Sequence, residues 1–179
     1  MENFKNHIKP FGMLRKPPIK DPMAPSYIKP DGTKVIEKIE EFGKTVYEIS
    51  PDHTLISRTY DKQDNLILDY ARRVNLEIGH RFDEFGQKIY EFEAFYDEKN
   101  TFVRKKETEF TYNNEGKLIR SFTVPTPGQI KTEILYDESG NMTEKIEYRG
   151  SVKTFYNSEN KAYKREIDRG SGGIITEEL

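Results

Sequence analysis

Three histidines, His7, His53 and His80, are the side chains of this sequence that could change charge near neutral pH, relay a proton or bind a transition metal. No two stand at H-x-H or H-x-x-x-H spacing, so neither a strand nor a helix would offer one ion a pair of imidazoles. Carboxylates are plentiful, but acid–base chemistry needs two of them in a pocket with their environments pushed apart. Here Lys and Arg lie within cross-strand reach of the acids, and structural ion pairs account for them. The turn Asp61-Lys62-Gln63-Asp64 is as rich in oxygen as a calcium loop. It lacks the twelve-residue order and closing Glu of an EF-hand, and turn formation explains it more simply.

The run Arg104, Lys105, Lys106, with Phe102, Phe110 and Arg120 nearby, has the basic and aromatic interleaving of a strip for single-stranded nucleic acid. Glu107 and Glu109 dilute it, and Arg72-Arg73 reads as a solvated strand end. The phosphate-loop, dinucleotide and nucleophile-elbow patterns do not occur. With no cysteine, thiol catalysis, disulfides and thiolate metal sites are excluded as well. The expectation is a non-enzyme with no catalytic residue, no metal and no cofactor, for which nucleic acid is not the natural partner.

The elements that would carry any site follow from composition. Only 34% of the 179 residues are hydrophobic, against about 45–50% in most globular chains, so a thick closed core is not expected. Another 34% are charged with a net charge of only -2, so the two signs are interspersed and bulk attraction to nucleic acid is not expected. No segment reaches the ~18 apolar residues of a membrane span, and the first thirty residues lack the apolar stretch of a secretory signal. A cytoplasmic protein is the default expectation, with an extracellular one as the alternative.

Residues 1–30 read as a proline-rich extended arm, with Lys5, Lys9, Arg15, Lys16 and Lys20 making its first part basic. From 31 to 168 short runs rich in Tyr, Phe, Ile, Val and Thr alternate with Asp, Asn and Gly. Strands are predicted at 33–39, 44–50, 54–60, 66–73, 75–82, 88–96, 101–112, 117–124, 129–136, 142–148, 151–156 and 162–168. The glycine-rich stretch 169–179 is read as a flexible tail, or as one last edge strand around Ile174 and Ile175.

Six cassettes punctuate the array: YDKQDNL from Tyr60, FDEFGQK from Phe82, YDEKNTF from Tyr96, YNNEGKL from Tyr112, YDESGNM from Tyr136 and YNSENKA from Tyr156. One residue after the aromatic stands Asp61, Asp83, Asp97, Asn113, Asp137 or Asn157. Such a side chain can hold the backbone two residues on and so start a turn. Three residues further stands Asp64, Gly86, Asn100, Gly116, Gly140 or Asn160, the types that tolerate a left-handed backbone. Together they predict a three- or four-residue hairpin loop on a type I turn, with the aromatic ending the incoming strand and burying about 2 kcal/mol of apolar surface.

A four-residue loop at 97–100 would set Phe95 against Phe102, Glu93 against Arg104, Glu91 against Lys106 and Lys88 against Glu109, each pair favourable. At Tyr136 a four-residue loop would set Glu133 against Glu144. A three-residue loop would set Glu133 against Lys145, and the register stays open. Along 88–96, Tyr90, Phe92, Ala94 and Tyr96 share one side, whereas Ile89, Glu91, Glu93 and Phe95 share the other. The predicted architecture is an all-β antiparallel meander of repeated hairpins, an open or curled twisted sheet in a single layer or partial barrel rather than a sandwich.

The pattern Y-D-x-x-G-[NKQ]-[LM], seen in YDESGNM, YNNEGKL and FDEFGQK, resembles the YD repeats of the bacterial Rhs family across about Tyr60 to Asp168. That family's repeats form continuous antiparallel sheets wound into hollow shells. The cassettes here start at irregular spacings and the chain is too short to close a shell, so the resemblance implies an open meander and no enzymatic activity. A broad exposed sheet of mixed charge and interleaved aromatics, without a catalytic constellation, makes another protein the expected partner, and the resemblance gives an immunity-type inhibitor or adaptor of a toxin system as the concrete form. Mixed charge and aromatics nominate Tyr90, Phe92, Arg104, Lys106, Tyr112, Arg120 and Tyr148 as a binding surface. The alternative is a surface carbohydrate-binding or adhesion repeat, which requires solvent-exposed rings at several of Tyr90, Phe92, Tyr112 and Tyr148.

Overall fold

The computed structural model describes residues 26–179, which form one antiparallel sheet whose fourteen strands pair strictly in sequence order. The strands are β1 (Tyr27–Ile28), β2 (Lys34–Glu40), β3 (Gly43–Ile49), β4 (Leu55–Asp61), β5 (Leu66–Arg72), β6 (Leu76–Phe82) and β7 (Lys88–Tyr96). They continue as β8 (Phe102–Tyr112), β9 (Leu118–Pro125), β10 (Lys131–Tyr136), β11 (Met142–Arg149), β12 (Val152–Tyr156), β13 (Ala162–Asp168) and β14 (Ile174–Glu178). The strands that pack together are those that follow one another in the chain, and β1 does not meet β14, so the meander stays open. Among the described residues the only helical element is a three-residue 3-10 turn, Gly170–Gly172. None of their helices is long and apolar enough to cross a membrane.

The proline-rich arm lies outside the described residues up to residue 25. Its end supplies β1, where Tyr27 faces Val35 and Ile28 faces Lys34. At the other end the tail takes the course of an edge strand, with Ile175 opposite Ile167 and Glu177 opposite Arg165.

All six cassettes form one turn. The residue after the aromatic donates its N–H to the carbonyl four residues on, as from Asp137 to Asn141 at 2.9 Å. Its own carbonyl accepts from the N–H three residues on, as from Gly140 at 3.0 Å. The Asp or Asn side chain fastens the loop: Oδ1 of Asp137 accepts from the backbone of Ser139 and Asn141, each at 2.9 Å. Equivalent bonds are made by Asp61, Asp83, Asp97, Asn113 and Asn157. The fourth loop residue is left-handed in every copy: Asp64, Gly86, Asn100, Gly116, Gly140 and Asn160 have φ between 60 and 83°. Asn and Asp therefore occupy a conformation that other L-residues reach only at a cost.

The expected registers do not survive the detail of this turn. The aromatic residue pairs with the second residue after the left-handed one, and the next residue is then bulged out of register, so all pairings shift. In the 97–100 hairpin Tyr96 faces Phe102, Phe95 faces Arg104 and Glu93 faces Lys106. Phe95 therefore meets the Arg104 guanidinium, 4.2 Å from its ring centroid, instead of Phe102, and Lys88 does not meet Glu109. At Tyr136 the observed pairs are Leu135 with Glu144 and Glu133 with Ile146, matching neither loop considered, because Thr143 is the extra residue.

A single layer has no second sheet to bury its side chains, so each is covered by its cross-strand neighbours. One row of opposed residues crosses the sheet as Lys38, Thr45, Thr59, Leu68, Arg81, Tyr90, Glu109, Phe122, Glu133, Ile146, Phe155, Lys164 and Glu178. This row marks the Phe92 face. Its densest part is Tyr90, Phe92 and Ala94, buried with Tyr70 and Tyr96 against them. Phe92 lies directly over Gly79, where an added Cβ would come within 2.3 Å of the ring. The opposite face is marked by the cross-strand row through Asp69, His80 and Glu91 and is the His80 face.

Candidate protein-binding face

The structure does not bring the seven nominated residues together. Tyr90, Phe92, Arg120 and Tyr148 lie on the Phe92 face, whereas alternation along β7 and β8 places Arg104, Lys106 and Tyr112 on the His80 face. Tyr90 and Phe92 are buried, at 9% and 6% exposure. The Tyr90 hydroxyl donates to Glu107, and the Arg81 guanidinium stacks 4.6 Å from its ring centroid. Tyr112 and Tyr148 are half-buried, with hydroxyls donating to the Lys88 carbonyl at 2.9 Å and to Glu133. The solvent-exposed rings that a sugar-stacking surface needs are thus buried at two of the four positions and half-buried at the other two. Arg104 and Lys106 are exposed and remain available to a partner.

What the tyrosines do instead is tie their strands to glutamates one or two strands away. Tyr96 donates to Glu77 at 3.2 Å, Tyr156 to Glu147 at 2.9 Å, and Tyr163 to Glu144. Cations cover the ring faces: Lys145 stands 4.1 Å from the Tyr156 centroid and Lys164 stands 3.8 Å from that of Phe155. Partial burial, together with the bond to Glu133, pushes the Tyr148 hydroxyl up to about 12. Burial also pushes Tyr70 up to about 12, with nearby Glu77 adding to it. Burial alone would raise Glu133, but bonds from Tyr148 and Arg120 outweigh it and hold the carboxyl below its usual value. These aromatic, cation and carboxylate ladders replace the packing that a second layer would provide.

The remaining candidates for chemistry have local employment. His80 sits between Asp69 and Glu91, each 3.6 Å from a ring nitrogen. His53 occupies a left-handed turn position, and His7 lies outside the described residues. The Asp61 carboxylate is taken up by Gln63 and Asn65 of its own turn. Among the described residues no cluster of three or more His, Asp or Glu side chains is arranged to hold a metal ion.

Two features escaped sequence reasoning because both depend on register. One is which backbone groups are bare on the outer edge of β14, the edge strand expected as one of two readings of the tail. Asp168 turns its N–H to β12 and Leu179 donates to Tyr163, so Ile174, Thr176 and Glu178 direct their backbone groups away from the sheet. The other is a groove of about 440 Å³ on the His80 face over β11–β13, walled by Arg149, Val152, Tyr156, Arg165 and Ile167. No single stretch of sequence contains these residues as a group; the successive pairs Arg149 with Val152 and Val152 with Ile167 bring them into one row. Neither a protein-family model nor a curated protein matches this sequence significantly.

Proposed function

We propose that this chain is a non-catalytic protein-binding module that acts in the cytoplasm as an immunity-type inhibitor or adaptor of a bacterial toxin system. The observation that carries the binding reading is the open single layer: two broad faces of mixed charge and an edge strand that has no second partner among the described residues are presented together. Such an edge adds a partner's strand through main-chain bonds, while exposed cations such as Arg104 and Lys106 supply side-chain contacts. The toxin-system form of the reading rests on the resemblance to YD repeats. Interior tyrosines committed to glutamates favour a scaffold for protein contacts over a surface that stacks sugars.

The test is capture of partners from lysate of the source organism on the tagged chain, with graded salt washes and mass-spectrometric identification. The reading expects one stoichiometric protein that survives the washes. Recovery of no protein at moderate salt would contradict it.

A further inference from the structure

We infer that the groove over β11–β13 is the docking site for an acidic, extended peptide segment of a partner protein, with the pattern acid–x–aliphatic–x–acid. This deepens the protein-binding reading by naming the partner's chemistry and rests on it. The floor is apolar, formed by Val152, Ala162, Ile167 and the ring of Tyr156. Two guanidiniums flank it, Arg149 on β11 and Arg165 on β13.

Charge decides the occupant. Glu147, the carboxylate in the wall, is already engaged by Lys145 at 3.1 Å and by the Tyr156 hydroxyl at 2.9 Å. Arg165 reaches Glu177 only at 3.7 Å, and Arg149 acts on Glu147 through space without a bonded contact, so neither guanidinium is fully neutralised. An exposed guanidinium, Arg149, and a half-buried one, Arg165, beside an apolar floor suit carboxylates that bracket an aliphatic side chain.

Spacing sets the pattern. Arg149 stands opposite Val152, which stands opposite Ile167, two residues along β13 from Arg165. Two strand spacings and two residues of rise separate the arginines by about 12 Å on the diagonal. In an extended peptide, side chains on one side recur every second residue at about 6.8 Å, so acids four apart span about 13.6 Å. The residue between them then points into the floor.

The test pans a phage library of random dodecapeptides on the immobilised full chain, on the double variant R149E/R165E, and on R73E. The last alters an exposed arginine just past β5, outside the groove. Enriched peptides on the unaltered chain are expected to carry acids flanking an aliphatic residue. The best of them, made synthetically, should bind R149E/R165E at least tenfold more weakly and R73E unchanged. Arg149→Gln, a milder change at an exposed position, should weaken binding in the same direction. Absence of any enriched family, enrichment of neutral or basic peptides, or equal binding to R149E/R165E would each overturn the inference. A partner captured equally from lysate by the unaltered chain and R149E/R165E would leave the protein-binding reading standing while removing this groove from it.

Discussion

Gly79 has no unusual backbone conformation, yet its lack of a side chain is required, because the ring of Phe92 occupies the space where a Cβ would stand. Gly79→Ala should therefore destabilise the protein by about 1–3 kcal/mol, the usual cost of overpacking, measured as a lower urea midpoint. Adding Phe92→Leu, which withdraws the ring, should restore part of the loss. Titration provides a second residue-scale prediction. Hydrogen bonds from Asn141 and other turn groups hold Asp137 below its ordinary value of 3.8, and bonds from Asn65 do the same for Asp61. A depressed folded pKa contributes stability above the unfolded value that is lost as pH falls through the folded one, so the urea midpoint should drop below about pH 3.8. The sign reverses for Tyr148, whose hydroxyl is raised from 10.0 to about 12. Its contribution is present below pH 10 and disappears as pH rises toward 12, and Tyr148→Phe should flatten that alkaline limb.

At the scale of the element, the cassette is a turn whose parts can be exchanged. Gly140 has φ of 83° and nothing within 4 Å of a would-be Cβ, so Gly140→Ala tests backbone strain without a clash. A cost of about 1–2 kcal/mol is expected, whereas Asn100→Gly, at the same position of another cassette, should be tolerated. Hydrogen exchange should show the damage from Gly140→Ala in β10 and β11 and not in β4 and β5. The turns and strand limits were legible in sequence because Asp137 and Gly140 state their roles within four residues; β7 and β13 begin and end where the alternation says. The pairings were not legible, because the bulged residues, Val103 after Phe102 and Thr143 after Met142, have no distinguishing chemistry. One unmarked extra residue moves every pair beyond it. The split of Arg104 from Arg120 between the faces and the meeting of Arg149 with Ile167 were hidden for the related reason that they depend on which strands pair, and where.

Taken as a whole molecule, the chain behaves as a one-dimensional array in which each hairpin is stabilised by its neighbours, in the manner of repeat proteins. Five of the six cassettes, those beginning at Tyr60, Phe82, Tyr112, Tyr136 and Tyr156, follow even-numbered strands and lie along one rim. There the Gln87 side chain donates to the Gly116 carbonyl at 2.8 Å, linking one cassette to the next. An array that does not close must end in an edge, and the binding account depends on that edge being bare. The most direct measurement is amide hydrogen exchange across β14, read residue by residue by NMR. Ile175 and Glu177, whose N–H groups face β13, should be protected, and Ile174, Thr176 and Glu178 should exchange at rates close to those of unstructured peptide. Uniform protection of all five would contradict the account, because it would place another strand against the edge.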